Sequence, residues 1–301
     1  MTSSQRIGFV GLGLMGHGMA KNIVAKGFPL TVIGHRNRAP VDSLIKLGAR
    51  EAKTAADLAA TSDIVFICVT GSPQVEETIY KQGGIMDGAS SGLIVVDSST
   101  SEPGSTMKIA ADLAKKGTTF VDAPLARTPK EAEEGKLNVM VGADAATFAK
   151  IEPVLKAFAE NIFHVGALGA AHKLKLINNF MAMGQATVIA EAAAAAAKVG
   201  VDLDSLVKLI SAGAVNSGIF QMMMPPALKG DLATFKFGLA NARKDLSYYT
   251  HMTEEAGVPS VLGEAVHQTL VQAAALGLGD KFVPSLLEAQ ERINGIKIVR
   301  R

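Results

Sequence analysis

Cysteine is almost missing from this chain. The single Cys68 lies inside the apolar run at 64–69, which excludes an intrachain disulfide and favours core filling over a nucleophile. Charge imbalance is missing too. Thirty basic against 28 acidic residues leave a formal net charge of +2, so neither nucleic acid nor a membrane surface is expected as partner. No apolar stretch reaches the length of a membrane span. The N-terminus shows no signal-peptide pattern, because Ile7–Val10 is too short for a hydrophobic region and runs into glycines. A cytoplasmic setting is therefore expected. No metal-ligand spacing occurs, so the chemistry is expected to need no metal. At 301 residues there is room for one large domain or two ordinary ones.

What is present begins with Arg6-Ile7-Gly8-Phe9-Val10-Gly11-Leu12-Gly13-Leu14-Met15-Gly16. A buried-strand run leads into G-x-G-x-x-G, and Met15, Met19, Ala20, Ile23 and Val24 then recur at helical spacing. In that context Gly11 permits a tight turn and Gly13 admits a pyrophosphate to the backbone. Gly16 lets helix and strand pack closely, and the helix N-terminus favours the phosphates. A dinucleotide site follows, with Leu14 and Met15 in the loop. The second strand, at 30–33, ends in Gly34-His35-Arg36-Asn37-Arg38 with no acid before Asp42. An acidic residue there would suit NAD(H). Cations without a carboxylate suit a 2′-phosphate instead, or form a solvated basic loop. NADP(H) is favoured with NAD(H) possible, through His35 and above all Arg36.

Strand and helix patterns alternate to about residue 165, with apolar runs at 30–33, 64–69, 93–96, 120–121 and 137–141. That rhythm predicts a parallel sheet wrapped by helices, an α/β doubly wound fold with ligands at the strands' carboxyl ends. Val69 and Thr70 end one strand, and Asp97-Ser98-Ser99-Thr100 ends the next. Ser99 and Thr100 can cap a helix there or touch a ligand. Strand signals then stop. Residues 174–199 contain no proline and carry an alanine run at 192–197, predicting one long helix followed by further helices to about 293. Two domains are expected, 1–165 binding the dinucleotide and 166–301 all-α. The tail at 297–301 is expected to be loose. His164 and His172 suit structural roles better than acid chemistry.

Four stretches together resemble the β-hydroxyacid dehydrogenase family. They are the glycine loop with Met19-Ala20-Lys21-Asn22, Asp97-Ser98-Ser99-Thr100, Asp122-Ala123-Pro124-Leu125-Ala126-Arg127-Thr128, and residues 166–179 with Lys175-Leu176-Ile177-Asn178-Asn179. A later Phe237 followed by Lys244-Asp245-Leu246 also fits. The resemblance implies a Rossmann-type domain joined by a long helix to an all-α domain, as in 6-phosphogluconate dehydrogenases. It also implies that Lys175 is the catalytic acid or base, that Ser99 and Thr100 touch substrate and nicotinamide, and that Lys244 contacts the cofactor. Most members carry Ser-Gly-Gly where this chain has Ala126-Arg127-Thr128. The Arg-Thr pair looks like the sulfolactaldehyde and succinic semialdehyde reductase branch.

On a helix Lys175, Asn178 and Asn179 fall at i, i+3 and i+4 and share a face. A desolvated lysine there can move the hydroxyl proton as a hydride moves. Arg127 and Thr128 are expected to recognise a carboxylate or sulfonate, with a surface pairing of Arg127 to Glu131, Glu133 or Glu134 as the alternative. Position 182 is Ala, where a sulfonate-handling relative carries serine. The expected reaction is NADPH-favouring reduction of a short anionic aldehyde, reversible to oxidation of the hydroxyacid. Oxidation of 3-hydroxyisobutyrate, reduction of tartronate semialdehyde, imine reduction and a non-catalytic NADP-binding module are the alternatives. Apolar helices too numerous for one small core predict a homodimer or homotetramer through the helical domain.

Overall fold

The computed structural model describes residues 5–300. The first four residues of the expected dinucleotide domain, and Arg301 of the expected tail, lie outside the described residues. The chain divides into two compact units between Lys175 and Leu176.

In the first unit β1 (Ile7–Val10) leads into α1 (Gly16–Ala25), β2 (Leu30–Ile33) into α2 (Ala39–Lys46), and β3 (Arg50–Ala52) into α3 (Ala55–Ala60). β4 (Ile64–Ile67) is followed by α4 (Ser72–Tyr80) and α5 (Ile85–Gly88), and β5 (Ile94–Asp97) by α6 (Pro103–Ala114). β6 (Thr119–Asp122), β7 (Leu125–Ala126), α7 (Pro129–Glu134), β8 (Leu137–Gly142), α8 (Ala145–Leu155) and β9 (Ala159–Gly166) complete it.

The sheet runs β3-β2-β1-β4-β5-β6-β8-β7, with β9 paired to β8. β1 to β6 pair in parallel. β8 is antiparallel to β6 and to β7, so the sheet departs from the expected all-parallel form at its far edge. The link between β7 and β8 carries only the six-residue α7, too short a crossover to return the chain in parallel.

Successive residues of the central strands serve opposite faces, and both faces are apolar. Val65, Ile67 and Val95 pack with Leu58, Val75, Ile79, Ile109 and Leu113 of α3, α4 and α6. Ile64, Phe66, Ile94 and Val96 pack with Met19, Ile23, Val41, Leu44, Ile151 and Val154 of α1, α2 and α8. This is a doubly wound Rossmann-type sheet, and its strand order reverses between β1 and β4.

α9 (Ala170–Lys198) begins in the first unit and continues into the second. There α10 (Leu203–Ala212), α11 (Gly218–Ala227), α12 (Leu239–Glu255), α13 (Val261–Ala273) and α14 (Leu286–Asn294) follow. Leu176, Met183, Ala186, Ala190 and Ala193 recur on one side of α9 and pack with Phe220, Met223, Met224, Leu246 and Leu270. The alanines let neighbouring helices come close, which is what the low-complexity run is for.

Two expectations are corrected. By length and composition α9 is apolar enough to cross a membrane. The alanines at 192–197 raise the mean hydropathy of a helix that has no unbroken apolar stretch of spanning length. A core helix satisfies the same test, and α9 supplies much of the second unit's core. The tail is also held. Ile298 and Val299 are buried, their amides donate to Glu291 Oε1 at 2.7 and 2.8 Å, and Arg300 pairs with Asp204.

Candidate active site

In the first unit the candidate residues collect where the strand order reverses. Gly11 leaves β1 with φ +97°, and a Cβ there would lie 2.1 Å from the Cys68 carbonyl oxygen after β4. A Cβ on Gly16 would lie 1.9 Å from the Gly11 carbonyl oxygen. These two glycines are therefore required by the protein's own backbone. Gly13 is different, because a Cβ there would meet nothing within 4 Å. No side chain caps α1, which starts just after Met15. An exposed loop with room at Gly13 and uncapped helix amides fits the diphosphate of a dinucleotide.

At the end of β2 the two arginines separate. Arg38 is held by Glu51 at 2.5 and 2.9 Å and by Asp42 at 3.2 Å, packed over Gly34. Arg36 and His35 are exposed. Of the two guanidinium groups, Arg36 is the one not committed to those carboxylates.

After β4 and β5 the turns are tied together. Val69 N donates to Ser99 Oγ at 3.0 Å. Ser99 N donates to Asp97 Oδ1 at 2.8 Å, and Ser101 Oγ to Asp97 Oδ2 at 2.7 Å. Ser99 is buried and Thr100 half-buried, so Ser99 holds two strand ends in register. Burial and the nearby Asp97 carboxylate push the Cys68 thiol up to about 12, which fits a filler and not a thiolate nucleophile.

Asp122, the last residue of β6, accepts from Gly169 N and His172 N, both at 2.8 Å. It thus caps the start of α9 from a distant strand. Three residues beyond His172 stands Lys175, half-buried on α9.

The loop after β7 departs from the sequence reading. Arg127 has φ +81°, unlike any other described non-glycine residue, where most of the resembling family has glycine. Its guanidinium is held by Glu160 and by the Lys136 carbonyl oxygen. The acid it pairs with is on β9, not Glu131, Glu133 or Glu134. Thr128 is the N-cap of α7, engaged with Glu131 in a reciprocal capping box. Both side chains that were expected to face an anion have partners within the first unit, Arg127 on β9 and Thr128 in α7.

In the second unit the candidates gather around a residue to which the sequence reading gave no role. Asn178 Nδ2 donates to Asn179 Oδ1 at 3.2 Å, and Asn179 Nδ2 to Asp245 Oδ2 at 2.6 Å. Lys244 Nζ lies 2.8 Å from Asp245 Oδ1 and 4.9 Å from the centre of the Tyr248 ring. Asp245 is only 2% exposed. A carboxylate can only accept, so it fixes the Asn179 amide orientation and holds the lysine beside it. The available signal was its place between Lys244 and Leu246. Tyr249 stacks on Phe180 at 4.4 Å, and His164 stacks on Phe148 at 4.4 Å, so both rings pack. Among the described residues no group of His, Cys, Asp or Glu is placed to hold a metal ion.

Residues 6–166 match the family described as the NAD binding domain of 6-phosphogluconate dehydrogenase. Residues 169–288 match the NAD-binding domain of NADP-dependent 3-hydroxyisobutyrate dehydrogenase. The chain is 31% identical to 2-(hydroxymethyl)glutarate dehydrogenase of Eubacterium barkeri, over 99% of each. It is also 31% identical to 3-sulfolactaldehyde reductase of Escherichia coli, over 94% of each. Among solved structures, 3-hydroxyisobutyrate dehydrogenase of Salmonella typhimurium matches with a TM-score of 0.83 at 26% identity. That match covers 95% of this chain and 99% of the other.

Proposed function

Since this chain belongs to the β-hydroxyacid dehydrogenase family of NAD(P)-dependent oxidoreductases, we propose that it reduces a short aldehyde bearing a carboxylate to the hydroxyacid, reversibly and preferring NADPH. The relative named for 2-hydroxy-3-oxopropionate supports a carboxylate-bearing aldehyde, and the one named for sulfolactaldehyde supports a short anionic aldehyde more broadly. Exposed Arg36, beside an Arg38 already committed, supports the phosphorylated dinucleotide.

A bound nicotinamide dinucleotide supplies the hydride to the carbonyl carbon. Lys175 delivers a proton to the carbonyl oxygen, so that one hydride and one proton complete the alcohol, and it takes the proton back in the reverse direction. Gly11, Gly13, Leu14, Met15 and Gly16 hold the diphosphate, with Val69, Thr70 and Thr100 bordering the dinucleotide and Lys244 contacting it. Ser99, Thr100, Asn178 and Asn179 orient the substrate. Arg127 and Thr128 act through the loop they shape, the first by its left-handed turn pinned to Glu160, the second by capping α7.

The observation that carries the reading is the hydrogen-bonded series Asn178, Asn179, Asp245 and Lys244 on and against the helix that bears Lys175. Its buried members, Asn179 and Asp245, are costly to remove from water unless they hold something in place. The test is turnover of succinic semialdehyde, methylmalonate semialdehyde, glyoxylate and sulfolactaldehyde with NADPH. At least one carboxylate aldehyde should be reduced, and Lys175→Ala should lower that turnover at least about a hundredfold while NADPH still binds. Near-normal turnover in that variant sinks the assignment of Lys175.

A further inference from the structure

The last residues of β5 and β6, Asp97 and Asp122, are register partners on adjacent parallel strands. Both carboxylates are buried, at 1% and 0% exposure. Both face the same residue, His172. Asp122 accepts from the His172 backbone N–H at 2.8 Å. The imidazole is wholly buried, with Nδ1 2.7 Å from Thr106 Oγ1 and Nε2 3.7 Å from Asp97 Oδ2.

Proton accounting restricts the ring. Thr106 has one hydroxyl hydrogen, with the Glu102 carbonyl oxygen 3.1 Å away and Nδ1 2.7 Å away. A neutral ring carries hydrogen on one nitrogen only, so with it on Nε2 the Nδ1 lone pair accepts the Thr106 hydroxyl hydrogen. Nε2 has no hydrogen-bond partner among the described residues. Without a hydrogen, Nε2 would aim a lone pair at a buried carboxylate. With one, it gives Asp97 a facing donor, attractive at 3.7 Å though too long for a hydrogen bond.

We propose that His172, facing Asp97 through Nε2–H, is a positioning residue that fixes the first turn of α9 and thereby sets Lys175 for proton transfer. The proposal rests on the reading of Lys175 given above. Its logic is mechanical. One residue has its backbone held by Asp122 and its side chain held between Asp97 and Thr106. Three anchors on two strands and a helix fix the helix start in rotation and in depth. Lys175 lies three residues along the same rigid helix, where a small misplacement from a distant change is costly to rate.

The test uses the aldehyde of that screen that is turned over fastest, with His172→Leu and His172→Gln made alone and on Lys175→Ala. His172→Leu keeps the bulk and removes both ring nitrogens, and should lower kcat at least about tenfold with KM changed less than about threefold. His172→Gln restores an N–H towards Asp97 and should recover kcat to within about threefold. On Lys175→Ala, His172→Leu should cost less than about twofold more, because residues acting as a unit are not additive. If His172→Leu does not fold, Thr106→Val is the disruptive variant, with the same expected split. The proposal is overturned if the loss recurs in full on Lys175→Ala, if it falls in KM, or if glutamine does no better than leucine. A Lys175→Ala enzyme with near-normal turnover removes the reading of Lys175 and this proposal with it. An additive cycle beside an inactive Lys175→Ala removes this proposal alone.

Discussion

Adding one methyl group to the glycine loop at two positions should give opposite results, because the two glycines are there for different reasons. At Gly16 a Cβ would sit 1.9 Å from the Gly11 carbonyl oxygen. Relief needs a backbone shift of more than about 1 Å, at the upper end of the roughly 1–3 kcal/mol that overpacking costs. Gly16→Ala should lower the melting temperature and dinucleotide affinity together. At Gly13 a Cβ meets nothing within 4 Å, and the residue is not among those with positive φ. Gly13→Ala should leave the melting temperature unchanged or raise it, since alanine reduces unfolded-chain entropy by about 0.4–1 kcal/mol. If phosphates use that space, the methyl group displaces one or more charge-assisted amide bonds, each worth about 1.5–3 kcal/mol. That is roughly a ten- to hundredfold rise in Kd. Circular-dichroism melts of the free protein and calorimetric titration with NADPH read the two effects separately. A Gly13→Ala protein that melts normally and binds NADPH with unchanged Kd would refute the placing of the diphosphate.

Arg36→Ala should weaken NADPH by roughly ten- to hundredfold, the loss of a charge-assisted phosphate contact, while NADH changes little. Equal losses for both in a fluorescence titration reject Arg36 as the 2′-phosphate clamp. Cys68 should resist iodoacetamide at pH 8.5 in the native protein and react in urea, because its folded thiol is pushed up to about 12 from 9.0. The sign follows from the same shift. As pH rises past 9 the unfolded chain releases a proton from Cys68 that the folded chain keeps, so stability falls more steeply through that range in Cys68 protein than in Cys68→Ala. Equal labelling rates in native and denatured protein count against it. Asp245→Asn should separate hydrogen bonding from charge at the hub of the second unit. Its oxygen can still accept from Asn179, but no carboxylate remains beside Lys244. Dinucleotide KM should rise while the melting temperature falls only modestly, and unchanged kinetics would remove Asp245 from the site.

The parts of the fold legible in the sequence are those where burial on both faces forces a continuous apolar run. β1, β4 and β5 are such runs, buried at every residue. The elements that escaped lack that constraint. β3 is Arg50-Glu51-Ala52 on the sheet edge, with no buried residue. β9 reads Ala-Glu-Asn-Ile-Phe-His-Val-Gly and buries none of its residues fully, so neither period nor hydrophobicity marks it. β7 has two residues. Its reversal against β8 is decided by the short link through α7, which no hydrophobic count reports. The tail was misread because what secures it is the carboxylate of Glu291 beneath two backbone amides, a long-range contact without local pattern.

The site shows the same division more sharply. Glycines announce themselves because the backbone geometry that needs them excludes other residues. The motif Lys175-x-x-Asn178-Asn179 was legible as a helix face for a related reason, since spacing alone decides it. The supporting acids were not. Asp97, Asp122 and Asp245 look in sequence like the ends of strands or an ordinary helix residue, yet each is buried and each accepts at least one short hydrogen bond. A carboxylate removed from water costs several kcal/mol unless donors surround it, and those donors come from 2 to 66 residues away in the chain. Arg127 shows the reverse case, a guanidinium at a loop expected to meet an anion against which an acid from β9, Glu160, is already folded. Arg36, exposed and outside the Arg38–Glu51 pair, is the better candidate for an anion, and the buried acids serve to hold the groups that do the chemistry.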